Sequence, residues 1–207
     1  MILLLACQMA SAQQVVKSAS IDSANTKPTP ITWYFPVGAL ENATDMSSAD
    51  TFLNNWYSGQ LVALQEPVLY TVTNVDEVYR FTWLRSFHSP VAIRIERSGD
   101  KYTLYWKESS GAGGYDPGKL ETDMHKTLDR ASWDDFAALI KNIDFWQMPI
   151  DTYPHGNDGA EWILEGKTAD KYHVVHRWAP KRETAFFKCC DKLITLSELK
   201  IKKRDKY

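Results

Sequence analysis

Three runs of alternating apolar and polar residues, following closely on one another, set the tightest constraint on this chain. Val78–Arg85 (VYRFTWLR), Val91–Arg97 (VAIRIER) and Lys101–Lys107 (KYTLYWK) are rich in β-branched and aromatic residues at a spacing of two. A strand gathers such residues onto one face, whereas a helix scatters them. Ser98-Gly99-Asp100 is a hairpin signal between the second and third runs, and Ser89-Pro90 breaks the first from the second. The spacing predicts a three-stranded antiparallel meander.

Helical periods flank it. Phe52, Trp56, Leu61 and Leu64 fall on one face of Ala49–Gln65, with Ser48 as N-cap, although Asn54, Asn55 and Gly59 weaken the pattern. A second helix begins at Ser132 as its cap, with Trp133, Phe136, Leu139, Ile140 and Ile143 inward. Glu183–Leu196 is a closing helix with Phe186, Cys190, Leu193 and Leu196 on its apolar stripe and Cys189 at the margin. Leu120–Leu128 fits either period and is read as a strand; Glu161–Gly166 and Lys171–Trp178 form a second hairpin. The order gives an α+β class: one antiparallel sheet of about five to six strands with about three helices, mainly on one face.

Composition narrows the class further. At 207 residues, with 44% apolar and 24% charged side chains, the chain suits one domain and is too apolar to be disordered. A net charge of -2 argues against a nucleic-acid partner, and three cysteines are too few for a disulfide framework. Most of the eight tryptophans are expected in the core.

Met1–Ala6 is apolar, and Ala10-Ser11-Ala12 suits signal peptidase, so residues 1–12 read as a signal peptide cut between Ala12 and Gln13. No Lys or Arg precedes the run, which suggests a start further upstream. Cys7 offers an alternative, lipid anchoring. Residues 13–30 read as a disordered linker, 31–199 as the domain, and 200–207 as a frayed basic tail. The expected address is periplasmic or secreted.

Chemistry is harder to find. Gly113–Lys119 matches the first seven positions of a phosphate-cradling loop, but Leu120 stands where Ser or Thr must hold magnesium. This loop, with four of the ten glycines in residues 108–118, is expected to be irregular and mobile; Tyr115 and Lys119 are candidate binding residues. His173 and His176 sit three apart on a strand, point to opposite faces and cannot share an ion without a bulge; with Arg177 they are further binding candidates. No metal and no cofactor are expected. Asp158, Glu161, Glu165 and His155 form an acidic group suited to acid–base work. A solvated strand face is the preferred reading for Glu161 and Glu165. Residues 166–207 hold twelve of the 24 basic residues but five of the 26 acids, a net of +7 against -9 elsewhere. Contact with an anionic surface through Lys200, Lys202, Lys203, Arg204 and Lys206 is the functional alternative to a solvated tail.

Over Asp158–Gly166 (DGAEWILEG) and Lys171–Trp178 (KYHVVHRW) the chain resembles a family of uncharacterised exported bacterial proteins. That resemblance implies export and a Trp- and Arg-containing second hairpin, and it supplies no activity. The residues as a whole point to a non-enzymatic exported binding or accessory domain for a protein or small-molecule ligand. The alternatives are a hydrolase using the acidic and histidine residues near 155–176, and an inhibitor or immunity-type protein.

Overall fold

Strand β1 (Glu77–Arg85) is the axis of the fold, paired with β2 (Val91–Ser98) on one side and β5 (Ala160–Thr168) on the other. Strands β3 (Lys101–Ser109), β4 (Leu120–Leu128) and β6 (Tyr172–Trp178) complete one antiparallel sheet in the order β4-β3-β2-β1-β5-β6. The computed structural model describes residues 32–41, 48–152, 156 and 158–207. Cys7, the Ala12/Gln13 junction, the signal and linker segments and His155 lie outside the described residues.

Alternation along β1 sends Tyr79, Phe81 and Trp83 to one face and Arg80, Thr82 and Leu84 to the other, and every one of these is buried. Helices α2 (Arg130–Asn142) and α3 (Ala185–Leu196) cover the aromatic face, as the sequence predicts for most of the helical mass. Helix α1 (Ser48–Ala63) covers the second face, where Tyr57, Leu61 and Leu64 meet Leu84, Ala92, Ile163 and Val174. The outer strand β4 exposes Glu121, Asp123, Met124 and His125 in its outer half, a largely polar edge that discourages further pairing.

The inward face of α1 is partly polar, so the predicted stripe needs correction. Phe52 is 65% exposed, while Asp50, Asn54 and Ser58 are buried. Their side chains satisfy the irregular segment before the helix. Asp50 accepts from the Gly38 and Leu40 amides, Asn54 Nδ2 donates to the Phe35 carbonyl, and Ser58 Oγ accepts from the Tyr34 amide. A segment with no strand partner needs such acceptors and donors, because buried peptide groups cannot stay unpaired cheaply. The helix ends in a left-handed Gln65 (φ 51°), with Glu66 N–H bonded to Leu61 O and Gln65 N–H to Val62 O. That turn drops Glu66 beneath the sheet.

Three other expectations change. The α2 cap is Asp129, whose carboxylate accepts from the Ser132 amide at 2.8 Å, so Ser132 sits inside the first turn. Cys189 is fully buried with Cys190, because α3 is clasped by α2 as well as the sheet. The end of the chain is docked. Trp83 and Trp162 both donate their indole N–H to the Tyr207 main-chain oxygen, Arg182 donates to the Lys203 and Lys206 carbonyls, and Lys206 pairs with Asp191. Lys200, Lys202, Lys203 and Arg204 remain exposed.

Candidate functional site

On the α1 face the sheet carries ionisable side chains that the alternation of β5 and β6 turns inward. Glu161 and Glu165 share that face, as their spacing predicts, but they are 1% and 0% exposed rather than solvated. Each has its own counter-group. Arg80 Nε donates to Glu165 Oε2 at 2.7 Å, and the Tyr172 hydroxyl donates to Oε1 at 2.9 Å. Burial pushes the Glu165 carboxyl up, and the Arg80 guanidinium opposes it. Glu66 joins this buried network: its carboxylate lies 3.0 Å from Arg94 Nε, 3.6 Å from Arg80 Nη1 and 3.8 Å from Lys107 Nζ. The network is buried and ties the turn after α1 to β1, β2, β3, β5 and β6, a structural role.

Glu161 lies at the other end of the strand and opens onto a cleft of about 380 Å³. His176 Nδ1 is 3.1 Å from Glu161 Oε1, and its Nε2 is 3.1 Å from the Leu40 carbonyl. Both ring nitrogens therefore face oxygen atoms, the carboxylate of Glu161 and the carbonyl of Leu40. Asp151 is 4.0 Å from the same Nδ1. The Tyr57 ring stacks edge-on to His176, and burial, then the Glu161 and Asp151 charges, hold its phenol well above the ordinary value.

The cleft walls are aromatic: Phe52 and Trp56 from α1, Tyr115 from the glycine loop and Trp178 from the end of β6. The glycine loop is irregular as expected, yet its main chain is tied in place. Trp56 Nε1 donates to Gly113 O, Gln60 Nε2 donates to Tyr115 O, and Gly113 N–H donates to His88 O. A Cβ at Gly113 would lie 2.6 Å from Leu84 Cα. The glycine permits close backbone approach rather than motion. Gly156 and Gly159 do the same under Trp178, where an added Cβ would lie 2.5 Å and 2.9 Å from the indole. Phe87 and Tyr115, 6.4 Å apart between ring centres, extend the aromatic surface beyond the cleft.

Of the remaining candidates, Asp158 and Lys119 are exposed. Lys119 begins no helix; Leu120 opens β4 directly after it, so the resemblance to a phosphate loop ends there. His173 and His176 do face opposite sides: His173 Nε2 meets the Met148 carbonyl and its ring packs on Phe145. Arg177 donates to the Pro149 and Ile150 carbonyls and lies over Phe186 on the far face. Among the described residues Glu161 therefore meets His176, whereas Glu165, His173 and Arg177 lie apart from it and Asp158 is exposed. No set of three His, Cys, Asp or Glu side chains among them is placed to hold a metal ion.

Phe52, Trp56 and Trp178 enter the site unforeseen. Spacing assigns Phe52 and Trp56 to a core stripe, and only the polar residues Asn54 and Ser58 hint that the helix turns differently. A larger groove of about 830 Å³ lies on the other side of Trp178, between α2, β6 and α3. Its walls are mostly apolar, and its Arg177 is already bonded to two carbonyls. No family model matches the chain, and no curated protein matches it either.

Proposed function

We propose that the protein is an exported, non-enzymatic binding domain that holds its ligand in the cleft above Glu161. The observation that carries this reading is the exposure of Phe52 (65%) and Tyr115 (66%) on the two rims of one concavity. Large aromatic side chains held in water at a cleft mouth cost solvation and gain it back when a ligand covers them. Their supports are rigid: one stands on a helix, the other on a loop fixed by Trp56 and Gln60. Export is supported by the apolar start and the Ala10-Ser11-Ala12 motif, together with the resemblance across Asp158–Trp178.

Titration of the isotope-labelled domain with a chemically diverse fragment set tests the reading. Hits are expected to move the Gly113–Tyr115 amides and the Trp56 and Trp178 indole signals. Hits confined to other surfaces sink it. Mass analysis of protein recovered from cells is expected to give Gln13 as the first residue; retention of Met1 in the cytoplasm overturns export, and a diacylated Cys7 replaces it with a lipid anchor.

A further inference from the structure

We infer that the groove between α2, β6 and α3 is a second binding site, which takes a free single-chain amphiphile with an anionic head, of the long-chain carboxylate class. It lies on the other side of Trp178 from the cleft above Glu161 and is independent of it.

The walls fit the chain of such a ligand. Ile143, Met148, Pro149, Pro180, Ala185 and Phe186 line a groove of about 830 Å³, within the range of sites that hold small molecules. The connector from β6 to α3 is fixed at both ends: Ala179 N–H donates to Ala160 O, and Thr184 N–H donates to Lys181 O. A trough held open in this way suits a hydrocarbon chain, which gains by leaving water and needs only contact from the walls. The recess is concave, so a chain enters it singly. A flat bilayer would touch the rim alone, which favours a free amphiphile over a membrane.

The charges fit the head. Arg177 and Lys181 are the charged side chains among the described residues lining the groove, and no carboxylate is among them. Lys181 is exposed and pairs with no described carboxylate, so it is the group a head can touch. Arg177, 8% exposed, stands behind it and donates to the carbonyls of Pro149, Ile150 and His176 rather than to a carboxylate. Burial lowers its pKa, and the more distant Asp151 and Glu161 oppose that shift only in part. The docked tail adds to the positive field. Arg182 donates to the Lys203 and Lys206 carbonyls, which holds the exposed Lys202, Lys203 and Arg204 near the start of α3. Glu183 is the exposed acid beside them, and Asp205 lies 3.6 Å from Arg204 Nε, so the cations prevail. A cationic head is repelled here, a neutral one gains nothing, and an anionic one is attracted.

The probes are octanoate and decanoate, set against 1-octanol and octyltrimethylammonium. The methyl signals of Ile143 and Met148, which line the groove and not the cleft, report binding. Octanoate is expected to bind at least about ten-fold tighter than octyltrimethylammonium, with 1-octanol between them. Decanoate is expected to bind about ten-fold tighter than octanoate, from two more buried methylenes. Lys181→Glu, at an exposed position, is expected to narrow the gap between octanoate and octyltrimethylammonium to about three-fold or less. Ala185→Trp, also at an exposed position, fills the trough and is expected to abolish the shifts. Both variants are checked for folding by their Trp83 and Trp162 indole signals. Equal binding of octanoate and octyltrimethylammonium overturns the inference, and so does a flat chain-length series. A folded Lys181→Glu protein with an unchanged gap, or a folded Ala185→Trp protein with unchanged binding, also overturns it. Shifts confined to the Gly113–Tyr115 amides, or silence from both carboxylates, overturn it too; if phosphatidylglycerol vesicles then sediment with the protein, the basic rim serves a bilayer instead. The cleft is judged separately, by the fragment titration.

Discussion

Trp83 and Trp162 aim their indole N–H groups at the same atom, the main-chain oxygen of Tyr207, from 3.1 and 2.9 Å. The two rings lie on neighbouring strands, directly opposite each other, and pack 5.1 Å apart between centres. A pair of fully buried indoles needs an acceptor. The end of the chain provides it, with the Tyr207 hydroxyl 2.7 Å from His88 Nδ1 as a second fixing point.

Removal of residues 201–207 is therefore expected to destabilise the domain by about 2–4 kcal/mol, from two orphaned donors and the lost packing of Ile201 and Tyr207. Urea denaturation of the truncated protein measures it. The loss is expected to persist at high salt, because hydrogen bonds and packing carry most of it. Replacing the exposed Lys202 and Lys203 by Ser, in contrast, is expected to leave the midpoint nearly unchanged.

The buried network gives a second expectation. Arg80→Met leaves Glu165 without its guanidinium at a site closed to water, and is expected to cost about 3–5 kcal/mol. Joining it with Glu165→Leu removes both charges and is expected to recover part of that loss. A double variant as unstable as the sum of the single ones would show that the pair does not act as a unit.

Much of the fold is legible in the sequence because period-two runs have one economical solution. The six strands, the hairpin at Gly99 and the inward Trp133, Phe136 and Ile140 of α2 all follow from spacing. Phe186 is buried, as its place on the closing helix predicts. Polar burial is what escapes such reasoning. Asp50, Asn54, Glu161 and Glu165 look like solvent-facing residues until the partners that reach them from other elements are known. Those partners are distant in sequence: Arg80 and Glu165 are 85 residues apart. The docked tail fails for the same reason, since nothing near Lys200–Lys206 announces that Trp83 and Trp162 lack an acceptor.

Gly113→Ala tests how the cleft is built. Its Cβ would press on Leu84 Cα and the Arg85 amide nitrogen, 2.6 and 2.7 Å away, and neither can step aside without breaking β1. The loop is expected to lift, losing the Trp56 bond to Gly113 O. The measurement is the Trp56 indole N–H signal, expected to move to a solvent-exposed position and to exchange faster. Global stability is expected to fall by about 1–3 kcal/mol, the range for overpacking a tight site.

The last expectation concerns pH and the two thiols of α3. Burial pushes the Cys189 thiol from its ordinary 9.0 up to about 12, and raises Cys190 well above its ordinary value. The sign follows from proton counting. Above the ordinary value the unfolded chain releases these protons while the folded protein keeps them, so the unfolded state holds fewer and stability falls as pH rises. The contribution is complete below pH 9.0 and, for Cys189, is lost progressively up to about 12. Denaturant midpoints measured between about pH 8 and pH 11 are expected to fall steadily in the wild type. Cys189→Ala is expected to be less stable at neutral pH through its cavity, yet to decline less steeply over that interval. Tyr57, Tyr79 and Tyr172, also raised by burial, keep a residual slope in the variant. Equal slopes in both proteins would mean that Cys189 ionises in the folded state near its ordinary value. In that case iodoacetamide would alkylate it without denaturant near pH 8, where the buried thiol is expected to stay unmodified until the protein unfolds.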